Sequence, residues 1–178
     1  MGSFYFKEFE ISQENSAMKV NSDGVLLGAY IDVKEKDLKI LDVGAGTGVI
    51  ALIMAQKLSK ISAIGEIVAI DIEPGSITDC NKNFHNSQFK DYLSSQLISL
   101  QQYSKIESNH ELFDLIISNP PYFSDSLKSS KETKNLARHN HSLSLEDIVV
   151  SSNQLLKKNH GRLALILPYN QSIKLQSI

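Results

Sequence analysis

Four consecutive residues, Asn119-Pro120-Pro121-Tyr122, combine polar acceptors, a stiff backbone and an aromatic ring. They follow an apolar run at residues 113–117, which predicts a strand buried on both faces of a parallel sheet. Ligands of open α/β sheets bind at the carboxyl ends of such strands. The prolines restrict the backbone, so we expect the side chain and carbonyl of Asn119 to be held in one pose. A Pro-Pro turn can also simply end a strand, so its function depends on what lies beside it.

A glycine-rich turn follows an earlier predicted strand. Residues 39–43 lead into Gly44-Ala45-Gly46-Thr47-Gly48, and a helical pattern follows at residues 49–58. Strand, glycine turn and helix form the first unit of a nucleotide-binding α/β fold, and the glycines let a ligand approach the backbone. Val49 stands where a dinucleotide fingerprint places its third glycine, and Asp42 would repel a pyrophosphate but attract an ammonium. The turn therefore favours a cationic or zwitterionic cofactor.

Polar side chains follow the next two predicted strands. Asp71 ends a strand at residues 66–70, where a carboxylate can accept hydrogen bonds from both hydroxyls of a ribose. Glu73, just before Pro74, is interpreted as a capping or exposed charge. A third strand is predicted at residues 96–100, with residues 101–103 as the turn beyond it. Polar side chains there could meet the exocyclic amine of an adenine, although surface glutamines would look the same.

The segment from residue 124 to 144 is polar and has no helix or strand pattern. Long segments of this kind in compact domains are usually functional or mobile, so a lid or substrate-contacting loop is one interpretation. Its basic residues could meet phosphates, although a charge run is more often a solvated surface. His139 and His141 have no partner ligands at metal-binding spacing, so no metal is predicted. A helix at residues 143–156 and a fifth strand at residues 162–168 follow.

The first thirty residues predict a smaller unit before the sheet. Alternating side chains at residues 4–11 indicate a hairpin arm or strand, and Ser22 or Asp23 can cap a short helix that carries Val25 and Leu26. Lys19 is a polar residue between apolar neighbours, just ahead of the sheet. It is equally compatible with an exposed surface lysine.

Composition sets wider limits. The chain has 178 residues, of which 42% are hydrophobic, which suits one globular domain. A formal net charge of -2 gives no overall basic character, so a nucleic-acid partner would have to bind a local patch. The single cysteine, Cys80, excludes an internal disulfide framework, and no signal peptide or membrane-spanning apolar stretch is recognisable. These features predict a cytoplasmic protein.

The ordered set of glycine turn, acid-ended strand and Asn-Pro-Pro-Tyr resembles the S-adenosylmethionine-dependent methyltransferases of the Rossmann-like class. That resemblance implies an α/β fold with a central, mostly parallel sheet and helices on both faces. Residues 119–122 look like the motif of methyltransferases that act on planar amino groups, such as adenine N6, guanine N2 or a glutamine amide.

A more specific resemblance covers almost the whole chain and is to the bacterial tRNA1(Val) adenine-37 N6-methyltransferase family. The segments that carry it are residues 6–7, 17–20, 23–29, 113–123, 137–139 and 165–168. It implies a tRNA partner, S-adenosylmethionine as cofactor and S-adenosylhomocysteine as product. Catalysis is then expected from Asn119, Pro120 and Tyr122. The expected cofactor residues are Asp42, Gly44, Gly46, Gly48, Asp71, Ser99 and Gln101, and the expected RNA contacts are Lys19, Tyr122, Phe123, Arg138 and His139.

The chain departs from these patterns in two respects. Ser99 stands where many relatives of the wider class have an acid. The chain also ends several tens of residues before the family pattern does, so we expect the last strands of the family's sheet to be absent and the fifth strand to lie at an edge. The predicted organisation is an arm and short helix at residues 1–30 and a cofactor-binding domain at residues 31–178.

Three other functions are compatible with parts of the pattern. A methyltransferase of a protein glutamine amide would share Asn-Pro-Pro-Tyr, but the amino-terminal region lacks the helical domain with which such enzymes hold their substrate. A non-catalytic RNA- or cofactor-binding module is disfavoured by the joint presence of Asn119, Pro120 and Tyr122. A nicotinamide dehydrogenase is disfavoured by Val49 and Asp42.

Overall fold

A computed structural model describes residues 2–61, 65–121 and 143–177 of the chain. The strands are β1 (Phe4–Tyr5), β2 (Glu10–Ile11), β3 (Lys39–Val43), β4 (Glu66–Asp71), β5 (Leu93–Leu97), β6 (Leu115–Ser118) and β7 (Arg162–Leu165). The last five form a parallel sheet in the order β5-β4-β3-β6-β7. The strand order reverses between β3 and β6, so their carboxyl ends flank the crevice where open α/β sheets bind ligands.

Helices cover both faces of this sheet. They are α1 (Ser22–Tyr30), α2 (Val49–Lys60), α3 (Pro74–Asn86), α4 (Leu100–Tyr103), α5 (Leu145–Leu155) and α6 (Tyr169–Leu175), with short 3-10 turns at Lys90–Tyr92 and Glu107–Asn109. Ile40 and Ile67 pack towards α2 and α3 on one face, whereas Leu41 and Val68 pack towards α4 and α5 on the other. This confirms the predicted α/β class. Within the described ranges, no helix combines the length and apolar character needed to cross a bilayer.

The amino-terminal arm forms the predicted hairpin, because β1 pairs antiparallel with β2. Phe9 and Ile11 are buried in the same core as α2. The prediction that Ser22 or Asp23 caps α1 is wrong. The cap is Asn21, whose Oδ1 accepts a hydrogen bond of 2.8 Å from the backbone N–H of Gly24, since the helix already begins at Ser22.

The third strand of the main sheet was predicted three residues too late. β5 ends at Leu97, and the predicted turn at residues 101–103 belongs to α4. The physical reason is a capping box, in which Ser99 Oγ accepts from the Gln102 N–H and the Gln102 side chain accepts from the Ser99 N–H. Ser99 and Gln101 therefore lie at the start of a short helix instead of at the end of a strand.

Candidate functional site

A cavity of about 930 Å³ opens at the carboxyl end of the sheet. Its walls are formed by the amino-terminal arm with the start of α1, the glycine turn with the start of α2, the end of β4, residues 98–101 after β5, the residues after β6, and Leu143. It brings together most of the predicted site residues that the structure describes. Those lining it are Lys19, Gly44, Gly46, Asp71, Ser99, Gln101 and Asn119.

The three glycines of the turn do two different things. Gly44, Gly46 and Gly48 have φ angles of 70°, 55° and 79°, a left-handed conformation that favours glycine. A Cβ on Gly44 or Gly46 would meet no atom within 4 Å, so both present backbone to the cavity. A Cβ on Gly48 would lie 2.6 Å from Phe84 Cε1, so this glycine lets the turn pack on α3. Two glycines are thus placed for a ligand, and the third supports the turn.

Asp71 links the end of β4 to the glycine turn. Its Oδ2 accepts a hydrogen bond of 2.8 Å from the Gly46 N–H, and its Oδ1 accepts one of 2.9 Å from the Glu73 N–H. A carboxylate has about four acceptor positions, so two further hydroxyl donors can be accommodated. Glu73 itself caps α3 by accepting hydrogen bonds from the N–H groups of Gly75 and Ser76, in agreement with its interpretation as a capping or exposed charge.

Asp42 lies beneath the turn and is fully buried, outside the residues that line the cavity. Its Oδ2 accepts a hydrogen bond of 3.0 Å from the Ala51 N–H in the first turn of α2, and its Oδ1 has no hydrogen-bond partner. Burial raises the pKa of Asp42 from 3.8 to about 7, with a further contribution from the neighbouring charge of Asp71. The expected role of Asp42 in cofactor binding remains a prediction. Because Asp42 does not line the cavity, it would affect a bound cofactor only through the glycine turn above it.

Asn119 is placed at the carboxyl end of β6 by two polar contacts. Ser118, just before it, is buried and donates a 2.7 Å hydrogen bond to the Val43 carbonyl, which ties the ends of β6 and β3 together. The Asn119 Nδ2 donates to Asn21 Oδ1 at 3.3 Å. Pro120 is buried and Pro121 lines the cavity. The amide of Asn119 consequently faces the same space as the glycine turn.

The arm that forms one wall is anchored to α3. Asp79 is buried and accepts from both backbone and side chain of Asn15 and Ser16, at 2.7–2.9 Å. Burial opposes ionisation of this carboxyl, but these hydrogen bonds outweigh it and lower its pKa. Asn83 bonds both backbone groups of Ser12 and also donates to the Thr47 carbonyl of the glycine turn at 2.9 Å. Helix α3 therefore holds both the amino-terminal arm and the glycine turn in place.

Two further predicted contacts have partners within the protein. The Lys19 ammonium donates to the Ser16 carbonyl at 2.9 Å and to the Gln13 carbonyl, so the arm itself holds the side chain at the cavity wall. The Gln101 Nε2 donates to Asp147 Oδ2 at 3.2 Å. This bond uses the nitrogen of the Gln101 amide and not its oxygen, and the expected role of Gln101 in cofactor binding stays a prediction.

Tyr122, Phe123, Arg138 and His139 lie outside the described residues, so the structure bears on none of their predicted roles. In the part of the chain that is described, no group of three or more His, Cys, Asp or Glu side chains could hold a metal ion. Asn21, Asp79 and Asn83 were not anticipated. Asn21 is followed by two other residues that favour helix caps, and the contacts of Asp79 and Asn83 with the arm join residues more than sixty positions apart.

Comparison with known proteins places the chain among methyltransferases. The profile of a methyltransferase domain matches residues 34–171. A curated tRNA1(Val) (adenine(37)-N6)-methyltransferase of Flavobacterium psychrophilum is 36% identical over 171 residues, which are 96% of this chain and 70% of the relative. One of Parabacteroides distasonis is 43% identical over 168 residues, covering 94% of this chain and 67% of the relative. The chain belongs to the tRNA1(Val) (adenine(37)-N6)-methyltransferase family. Members of this family thus share sequence with nearly all of the chain, including its amino-terminal arm.

Solved structures agree with the fold of this methyltransferase. The crystal structure of a SAM-dependent methyltransferase from Agrobacterium tumefaciens matches 98% of the chain and 56% of its own length, with a TM-score of 0.67 and 16% identity. At that identity the likeness concerns the fold alone. It confirms that the central sheet and its helices have the arrangement of SAM-dependent methyltransferases.

Proposed function

We propose that this methyltransferase transfers a methyl group from S-adenosylmethionine to N6 of an adenine in tRNA. The observation that carries the proposal is the position of Asn119, which lines the same cavity as Gly44, Gly46 and Asp71. The glycine turn, Asp71 and the amide of Asn119 thus lie around one cavity. The names of the relatives support adenine in tRNA as the substrate, and such a substrate would place the reaction in the cytoplasm.

The residues present fit the cofactor. The open space in front of Gly44 and Gly46 admits a ligand against the backbone, and the remaining acceptor positions of Asp71 suit a ribose diol. Ser99 and Gln101 line the same cavity, and we expect them to meet the adenine ring of the cofactor. When bound, S-adenosylmethionine supplies an electrophilic methyl group on a positively charged sulfur.

The protein's task in such a displacement is to align the nucleophile and shape its electrons. The lone pair of an aromatic amine is delocalised into the ring, which makes the nitrogen a poor nucleophile. If the two N–H groups of the amine donate to Asn119 Oδ1 and the Pro120 carbonyl, the nitrogen becomes pyramidal and its lone pair turns towards the methyl group. The carbon–sulfur bond breaks as the carbon–nitrogen bond forms, and the methylated nitrogen is acidic enough to lose its extra proton to water, so no strong base is needed. Tyr122 would stack on the adenine once it leaves its RNA stack, a contact worth roughly 1–3 kcal/mol.

The first experiment identifies the product. A tRNA pool is incubated with the protein and methyl-labelled S-adenosylmethionine, digested to nucleosides and separated by chromatography. We expect the label in N6-methyladenosine. Label in another nucleoside would refute the adenine assignment. In a parallel incubation with a cell extract, label in protein and none in tRNA would favour the glutamine alternative.

The second experiment tests the role of Asn119 with a matched control. We expect Asn119→Ala to bind S-adenosylhomocysteine in calorimetry nearly as the wild type does, while kcat falls by about a hundredfold, the usual effect of removing one group that stabilises a transition state. The control is Asn153→Ala, which changes an exposed asparagine on α5 that does not line the cavity. Equal losses of cofactor affinity and turnover in Asn119→Ala would contradict the proposed role.

A further inference from the structure

We infer that Asn21 is a positioning residue for catalysis, because it fixes which end of the Asn119 amide faces the substrate. The inference deepens the proposed function and rests on it. Asn21 and Asn119 are 98 positions apart in the chain, yet their side chains meet at the rim of the cavity, with Asn119 Nδ2 3.3 Å from Asn21 Oδ1. Both residues line that cavity.

The direction of this hydrogen bond follows from a backbone group whose role is fixed. The N–H of Gly24 can only donate, and it lies 2.8 Å from a terminal atom of the Asn21 amide. That atom must therefore be the oxygen. The same oxygen faces Asn119, so Asn119 has to present its NH₂ group to Asn21. Through these two hydrogen bonds, the backbone N–H of Gly24 at the start of α1 determines the orientation of the Asn119 amide.

The consequence for Asn119 is chemical. With Nδ2 directed at Asn21, Oδ1 lies on the other branch of the amide and is directed away from it. Acceptance of a hydrogen bond from the substrate amine requires the oxygen in that position. If the amide were turned over, Asn119 would offer a donor to an amine that itself needs an acceptor, and the nucleophile would not be activated.

The first turn of α1 lies beside both asparagines. A Cβ on Gly24 would lie 3.4 Å from Asn21 Oδ1 and 3.7 Å from Asn119 Nδ2. Asn21 is also the amino-terminal cap of α1, and its removal would affect stability as well as orientation. The test has to separate these two roles.

Two substitutions at residue 21 make that separation. Serine caps helices about as well as asparagine, but its hydroxyl is one bond shorter and cannot reach Asn119. Asn21→Ser should keep the thermal midpoint and the affinity for S-adenosylhomocysteine while kcat on tRNA falls about tenfold, the factor equivalent to one ordinary hydrogen bond. Aspartate keeps both the cap and the acceptor, so Asn21→Asp should retain most of the wild-type kcat. Equal kcat values for the serine and aspartate variants would overturn the inference.

A spectroscopic readout tests the contact independently of activity. The side-chain NH₂ signals of Asn119 are identified in a ¹⁵N–¹H spectrum by their loss in Asn119→Ala. We expect these signals to shift and to exchange faster with solvent in Asn21→Ser, but to keep their wild-type protection in Asn21→Asp. Unchanged signals in Asn21→Ser would refute the contact. If the wild type does not methylate tRNA, the proposed function fails, while this spectrum still decides whether Asn21 orients Asn119.

Discussion

Asp42→Asn should remove a pH dependence from the stability of the protein. Asp42 is fully buried, and its pKa is raised from 3.8 to about 7. Between these two values the folded protein keeps a proton that the unfolded chain releases, so Asp42 lowers the free energy of unfolding as the pH rises. Above pH 7 the loss is complete. A difference of about three pH units, at 1.36 kcal/mol per unit, corresponds to a total loss of about 4 kcal/mol.

Asparagine cannot ionise but still offers an oxygen to the Ala51 N–H, which now lies 3.0 Å from Asp42 Oδ2. The free energy of unfolding of Asp42→Asn, relative to the wild type, should therefore increase by about 3 kcal/mol from pH 5 to pH 8. Comparing the two proteins at each pH removes the contribution of other carboxyl groups, such as Asp79 and Asp114, whose pKa values are lowered.

The assay is urea denaturation at pH 5, 6, 7 and 8, without cofactor. The chain contains no tryptophan, so unfolding is followed by circular dichroism. The difference in free energy of unfolding between Asp42→Asn and the wild type, called the offset here, is not decisive at any single pH. The buried NH₂ group of asparagine carries a cost of its own. The decisive quantity is how the offset changes with pH. A constant offset from pH 5 to pH 8 would refute the raised pKa of Asp42.

Two further predictions concern the walls of the cavity. Asp79→Ala should lower the free energy of unfolding by about 3 kcal/mol and weaken S-adenosylhomocysteine binding, because the donors of Asn15 and Ser16 lose their acceptor. Urea denaturation and calorimetry measure the two effects, and unchanged cofactor affinity would contradict the link between arm and cavity. Gly48→Ala should cost about 2–4 kcal/mol of stability through strain and its contact with Phe84, whereas Gly46→Ala should cost about 1–2 kcal/mol and mainly reduce cofactor affinity. Equal losses of stability in the two glycine variants would refute this division of roles.

The sequence predicted those parts of the fold that have a strong local pattern. β3, β4 and β6 are largely buried apolar segments, and such strands can be recognised without knowledge of their partners. β5 was misplaced because it is a largely exposed edge strand, while the buried Leu100 next to it belongs to α4. The prediction therefore assigned Leu100 to the sheet, although Leu100 belongs to α4 and packs into the core from that helix.

The sequence predicted the polar residues that line the site, but not the residues that hold those residues and the arm in place. Asp71 and Asn119 were recognisable because the ends of parallel strands meet at one edge of a sheet. The cap of α1 was not, since Asn21, Ser22 and Asp23 are all good caps and tertiary contacts decide where the helix begins. The anchoring role of Asp79 depends on a segment 63 positions away, and no local pattern contains that information.

Helix α3 supports two walls of the cofactor cavity although, of its own residues, only Ser76 lines it. The glycine turn rests on one part of the helix, where Gly48 approaches Phe84, and the arm rests on another, where a Cβ on Gly75 would lie 2.4 Å from the Asn15 carbonyl. Both walls are thus positioned from the same element. A substitution on the buried side of α3 would change the distance between them, so residues that never touch the cofactor can alter which cofactor analogues the enzyme accepts.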